Sequence, residues 1–273
     1  WMQGTFRDVD GLDDKTREKI DFYTRQYVDA LSPTNFVATN PKVLEKTIET
    51  KGENLLKGLD HLLGDLENGQ GQLKISMTDT DAFTLGENVA TTPGKVVYQN
   101  DLMQLIQYTP STEKVFSTPL LIVPPWINKF YILDLREKNS FIKWAVSQGI
   151  TVFVVSWVNP DADLAKKSFE DYMLEGPIAA IDAIERATGE REVNAIGYCI
   201  GGTLMSATLA YLTAKGDDRI KSITFFTTMV DFEEPGELGV FIDDEQISAL
   251  EARMDRDGYL DGSAMSTTFN MMR

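Results

Sequence analysis

From Val193 to Leu204 the chain reads VNAIGYCIGGTL, and Cys199 at its centre is the only cysteine in 273 residues. Gly197-Tyr198-Cys199-Ile200-Gly201 has the spacing of a nucleophile elbow with Cys in place of Ser, set between a β-branched run and a helix-forming run. Such a nucleophile occupies a strained backbone conformation, so the residues two before and two after it must be small, and here both are glycine. The positive end of the following helix would face the sulfur, and the Ile200 N–H would face an oxyanion formed during acyl transfer. Sulfur in place of oxygen suits acyl transfer, because a thiolate can accept an acyl group from one thioester and hold it as another, still activated. The bland reading is a buried cysteine in a glycine-rich turn, or a turn that cradles phosphate, since free cysteine is among the most buried residue types.

A cysteine nucleophile is ordinarily served by an imidazole. The chain has one histidine, His61, in the amphipathic stretch LLKGLDHLLGDL far upstream, where a helix face suits it better than catalysis. In α/β-hydrolase order the acid and the histidine follow the nucleophile, and no histidine follows Cys199. Asp231 in TTMVDF stands where an acid could, and equally where a turn residue or a helix cap would.

The elements that must position Cys199 follow from periodicity. Residues 1 to about 70 read as helical: Ile20, Tyr23, Tyr27, Val28 and Leu31 share one face, Asn40-Pro41 opens a second helix, and a leucine stripe from Leu55 to Leu66 makes a third. That stripe reads as core or partner surface. KVVYQ and MQLIQY flank Asn100-Asp101 as an antiparallel pair, and strands then alternate with helices: 119–123, 139–148, 151–157, 168–188 with a bend at Gly176-Pro177, 193–196, 203–215 and 220–228. The rhythm predicts an α/β fold, an incomplete α/β-hydrolase-type sheet, mostly parallel, behind a mainly helical N-terminal region. Ligands of such sheets gather at the carboxyl ends of the strands, where Pro124-Pro125-Trp126, Cys199 and Asp231 all fall.

Composition excludes several classes. A net charge of −16 without a basic stripe argues against nucleic acid or an anionic bilayer as the main partner. No apolar run reaches membrane-spanning length, the opening WMQGTFRDVDG lacks the regions of a signal peptide, and a lone cysteine fits a reducing compartment. No metal site is read. Trp1 at one end and the apolar AMSTTFNMMR at the other make the chain read as a fragment.

Four blocks in order, VPPWINKFYILDL (Val123 to Leu135), VFVVSWVNPD (Val152 to Asp161), GYCIGGTL (Gly197 to Leu204) and TTMVDFEEPGELGVFID (Thr227 to Asp243), resemble the class I polyhydroxyalkanoate synthases. The leader FYTRQYVDALSPTNFVATNP (Phe22 to Pro41) is similar to that family's N-terminal domain. The resemblance implies an acyltransferase that polymerises (R)-3-hydroxyacyl-CoA, a coenzyme A thioester, with release of CoA and no further cofactor. It implies a cytoplasmic enzyme on storage granules, a homodimer with granule-associated proteins as possible company. It places the nucleophile on Cys199, one backbone oxyanion donor on Ile200 and a second in Trp126-Ile127-Asn128, of which Ile127 is the choice. It divides the chain into an N-terminal domain (1–92), the first part of the catalytic core (93–239) and the start of a cap (240–273), and sets the family's base and its partner acid beyond residue 273. Lys129, near a strand end, is as well read as a solvated charge as a CoA phosphate ligand.

Two other functions share these features. A cysteine-dependent thioesterase would use the same elbow and admit water, and the helical region could serve as a dimerisation or granule-binding module. The 273 residues purified alone are expected to form no polymer from hydroxybutyryl-CoA, measured as CoA release and insoluble product. Turnover by this chain would contradict the placement of the base beyond it.

Overall fold

Alternation along the buried strands decides the architecture. The computed structural model describes residues 11–71, 73–260 and 262–272; Trp1 to Asp10, read above as lacking a leader, fall outside them. Two compact units divide the chain: residues 1–82 with 236–243 and 271–273, and residues 83–235 with 244–270.

The described residues of the first unit include the helices α1 (Asp14–Ala30), α2 (Pro41–Glu49) and α3 (Glu53–Asn68). Side chains start the first two: Asp13 accepts from Thr16 N at 2.9 Å, and Asn40 accepts from Lys42 N and Val43 N ahead of Pro41, each cap contributing about 1 kcal/mol. Phe22 of α1 is buried and meets Phe241 edge to face at 5.4 Å. Ion pairs Lys19–Asp243 and Arg25–Glu237 flank that contact. The leucine stripe of α3 is not core: Leu55, Leu56, Leu59, Leu62 and Leu63 are all exposed.

The second unit is built on six strands: β1 (Gly94–Gln99), β2 (Met103–Tyr108), β3 (Leu120–Val123), β4 (Val152–Trp157), β5 (Val193–Tyr198) and β6 (Ile220–Phe226), in the spatial order β1-β2-β4-β3-β5-β6. Only β2 runs against its neighbours; β4, β3, β5 and β6 pair in parallel. Asn100 turns the β1–β2 hairpin, its Oδ1 accepting from Leu102 N and Met103 N.

Both faces of the central strands are apolar, as a covered parallel sheet requires. Leu121, Val123, Phe153, Val155 and Ala195 point to one side, into a core with Ile181, Ile184, Leu204 and Met205; Ile122, Val152, Val154 and Ile196 point to the other, against Ile142 and Val146. The first side is covered by α5 (Phe169–Met173), α6 (Ala179–Thr188) and α7 (Ile200–Ala214), the second by α4 (Phe141–Ser147). A π-turn, Leu174–Ile178, joins α5 to α6 at the bend expected from Gly176-Pro177. Two helices follow the sheet, α8 (Asp244–Asp257) and α9 (Gly262–Met271). Among the described residues no helix is long and apolar enough to cross a membrane.

Phe153→Ala, at a side chain with no exposed surface, is expected to destabilise the second unit by about 3–5 kcal/mol. Ile48→Ala, at a residue 81% exposed, should stay within about 0.5 kcal/mol in the same urea titration.

Candidate active site

β5 ends at Tyr198, α7 begins at Ile200, and Cys199 between them takes φ 54° and ψ −125°. A residue with a Cβ held there costs about 1–3 kcal/mol and persists only where its surroundings enforce it. Three glycines do so. A Cβ on Gly197 would lie 2.5 Å from Gly202 Cα, one on Gly201 would lie 2.2 Å from Val123 O, and one on Gly202 would lie 2.0 Å from Thr228 Oγ1. Strand, helix and the β3 end therefore touch backbone to backbone.

Hydrogen bonds fix the turn on both sides. Cys199 N donates to Phe226 O at 2.9 Å, and Cys199 O accepts from Gly202 N at 2.9 Å and Thr203 N at 3.3 Å. Thr203 Oγ1 donates to Met229 O at 2.7 Å, tying α7 to the segment after β6. The N–H groups of Ile200 and Gly201, in the first turn of α7, have no carbonyl to reach within the helix. Both follow Cys199 at the start of α7.

The β3 loop forms the facing wall. Asn128 N donates to Pro125 O at 3.2 Å, closing a turn with Trp126 and Ile127 at its centre. Pro124 and Pro125 are buried, and the Pro124 carbonyl accepts from Trp157 Nε1 at 2.7 Å. Trp126 packs on Tyr172 at 5.0 Å and edge to face on Trp157 at 6.2 Å. Farther along the same loop a buried carboxylate, Asp134, accepts from Thr92 Oγ1 at 2.7 Å and from Ser140, whose hydroxyl also caps α4 through Lys143 N. Burial first, and the Asp134 charge second, push the nearby Tyr108 phenol above its ordinary range, so it stays protonated.

A cavity of about 880 Å³ opens between these walls. Cys199, Tyr198, Trp126, Ile127, Met265 and Phe269 are among its lining residues, and Lys129 and Asn159 lie on it with Lys129 Nζ donating to Asn159 Oδ1 at 3.2 Å. Cys199 is partly exposed, reachable but not stripped of cover. A thiol so placed, with backbone donors on the helix side and a turn opposite, can attack a carbonyl carbon and have the resulting oxyanion held.

Cys199, Ile200 and Ile127 thus come together at one strand end. Asp231 Oδ1 accepts from Glu233 N at 3.0 Å, the bond of a turn residue. His61 sits exposed on α3 in the first unit. Among the described residues no group of three or more His, Cys, Asp or Glu is placed to hold a metal ion. Trp157 as a donor, Gly202 as a contact glycine, and Met265 and Phe269 as cavity walls emerge only in the structure. The doubled glycine after Cys199 was the available signal for Gly202; the others are brought in by packing that no spacing encodes.

The strand order, the single antiparallel strand β2 and an elbow directly after β5 define an α/β-hydrolase-type protein with cysteine at the nucleophile position. Residues 1–145, more than half of the chain, match the family described as Poly-beta-hydroxybutyrate polymerase (PhaC) N-terminus, and the chain belongs to that family. Over its full length it is 58% identical to a Poly(3-hydroxyalkanoate) polymerase subunit PhaC of Rhizobium meliloti and 56% identical to a Poly(3-hydroxyalkanoate) polymerase of Methylorubrum extorquens, covering 45% of each. Over 96% of its length it is 44% identical to the subunit PhaC of Cupriavidus necator, covering 44% of it. The chain therefore spans less than half the length of these relatives.

Gly201→Ala is expected to destabilise the second unit by about 3 kcal/mol, because backbone atoms of β3 cannot yield to the new methyl. Gly64→Ala, on α3 with nothing within 4 Å of the added atom, should instead stabilise its helix by up to about 1 kcal/mol. Urea denaturation of the two variants beside the parent chain checks both signs; an unaffected Gly201→Ala would contradict the close approach.

Proposed function

We propose that the complete protein is an acyltransferase that polymerises (R)-3-hydroxyacyl-CoA into polyhydroxyalkanoate, with Cys199 carrying the acyl group as a thioester. The observation that carries the reading is a strained cysteine at a strand–helix elbow, opening on a cavity, in a chain whose relatives are named as polymerases of hydroxyalkanoates.

The steps balance without a cofactor. The Cys199 thiol gives its proton to a base, and the sulfur attacks the thioester carbonyl. The negative oxygen is held by the Ile200 N–H and by the turn bearing Ile127. The carbon–sulfur bond to CoA then breaks, and CoA leaves with a proton as the free thiol. In the second step the hydroxyl of a hydroxyacyl unit loses its proton to the base and attacks the Cys199 thioester, forming an ester and freeing the thiol. The base is the family's histidine, with its acid, from residues beyond 273, and residues 240–273 are read as the start of a cap.

The mainly helical N-terminal region is read as the attachment and pairing part of the enzyme. The exposed leucines of α3 would otherwise leave an apolar face in water. A homodimer working on the surface of a storage granule in the cytoplasm, among granule-associated proteins, is the setting that uses that face.

Supplying the complete protein with (R)-3-hydroxybutyryl-CoA tests the reading by product. Insoluble polyester is expected, and Cys199→Ala should lower its rate by about a thousandfold or more. Free hydroxybutyrate in place of polymer would make the protein a thioesterase, and an active Cys199→Ala variant would remove the thioester from the mechanism.

A further inference from the structure

The Pro124 carbonyl lies at a crossing of three constraints. It directly follows β3, the strand whose last residue Val123 pairs with Gly197. It abuts the start of α7, where a Cβ on Gly201 would lie 2.8 Å from Pro124 O. Its oxygen accepts the indole N–H of Trp157 at 2.7 Å, a buried hydrogen bond between the ends of two parallel strands.

We infer that Trp157 is a positioning residue for the second oxyanion donor: by holding the Pro124 carbonyl on its own side, it directs the N–H groups of the Trp126-Ile127 turn toward Cys199. A peptide plane is turned only by the ψ before it and the φ after it. Pro124 and Pro125 each have a fixed φ, and neither has an N–H. Once the Pro124 carbonyl is held, the first N–H groups available are those of Trp126 and Ile127, the two central residues of the turn closed by Asn128 N. The Trp126 ring adds a second hold, packing against Trp157 and Tyr172.

Room for the indole is made on its far side. Gly176, in the π-turn, faces the Trp157 ring so closely that a Cβ there would lie 2.4 Å from Cη2. The π-turn, which also contains Pro177, sets the backbone of a residue without a side chain against the ring. π-Turns are inserted at a cost to helix hydrogen bonding and tend to occur where function needs them.

This inference rests on the proposed reading of Cys199 as the acyl carrier, and two reactions at the same sulfur separate them. Acylation by hydroxybutyryl-CoA passes through an oxyanion; alkylation by iodoacetamide does not. In the complete protein, Trp157 would be replaced by benzothienylalanine, which exchanges the N–H for sulfur at nearly constant shape, and in a second variant by Phe. Gly176→Ala would displace the ring from the other side. Each variant's Cys199 would be followed in single-turnover acylation and in iodoacetamide alkylation by peptide mapping.

The expected result is a fall of roughly ten- to a hundredfold in acylation, with alkylation of Cys199 unchanged. Acylation at the parent rate, or acylation and alkylation falling together, would overturn the positioning role. No acylation of Cys199 in the unaltered protein would instead overturn the reading on which the role rests.

Discussion

The backbone contact between α7 and the ends of β3 and β5 is the constraint on which the rest of the second unit depends. Helix and sheet ordinarily keep apart by the size of their side chains. Here Gly197, Gly201 and Gly202 remove that spacing, and the chain can pass from strand to helix in a single residue. The residue that makes the passage must adopt a positive φ, and it is Cys199. Its strain is the local cost of bringing a sulfur, the first turn of α7 and the β3 loop to one place. The apolar cores on both faces of the sheet stabilise the elements that enforce it.

The β3 loop answers the elbow from the other side. Its own backbone bonds are short-range, in turns and 3-10 helices such as Phe130–Leu133, and longer-range holds come from Trp157 near its start and at Asp134 near its end. Between these holds lies the turn of Trp126 and Ile127. That arrangement suits a donor whose value lies in being aimed before charge develops, since a preorganised group pays no reorganisation during the reaction.

Much of this was legible in the residues. The elbow was visible because glycine two places before and two after a nucleophile has a steric meaning that holds without a fold. The sheet was visible because β3, β4 and β5 are short apolar runs separated by helical periods. Helix α7 was placed to start at Thr203, yet it starts at Ile200; Gly201 and Gly202 are poor helix formers in isolation, and tertiary contact overrides that preference. The leucine stripe of α3 is a helix face as expected, though an exposed one, because an amphipathic pattern specifies a face and not what covers it. The Trp157–Pro124 bond and the cavity walls from α9 were not legible: they join residues 33 apart or more through packing that leaves no periodic mark.

The central claim is that the group being transferred is carried on Cys199. Its most direct test is to mix the complete protein with (R)-3-hydroxybutyryl-CoA, quench in acid within the first turnovers, and map the peptides by mass. The expected product is a peptide containing Cys199 heavier by one hydroxybutyryl unit, or by several, with the added mass released by hydroxylamine. Polymer formation with that peptide unmodified, and the acyl mass on another residue or on none, would contradict it.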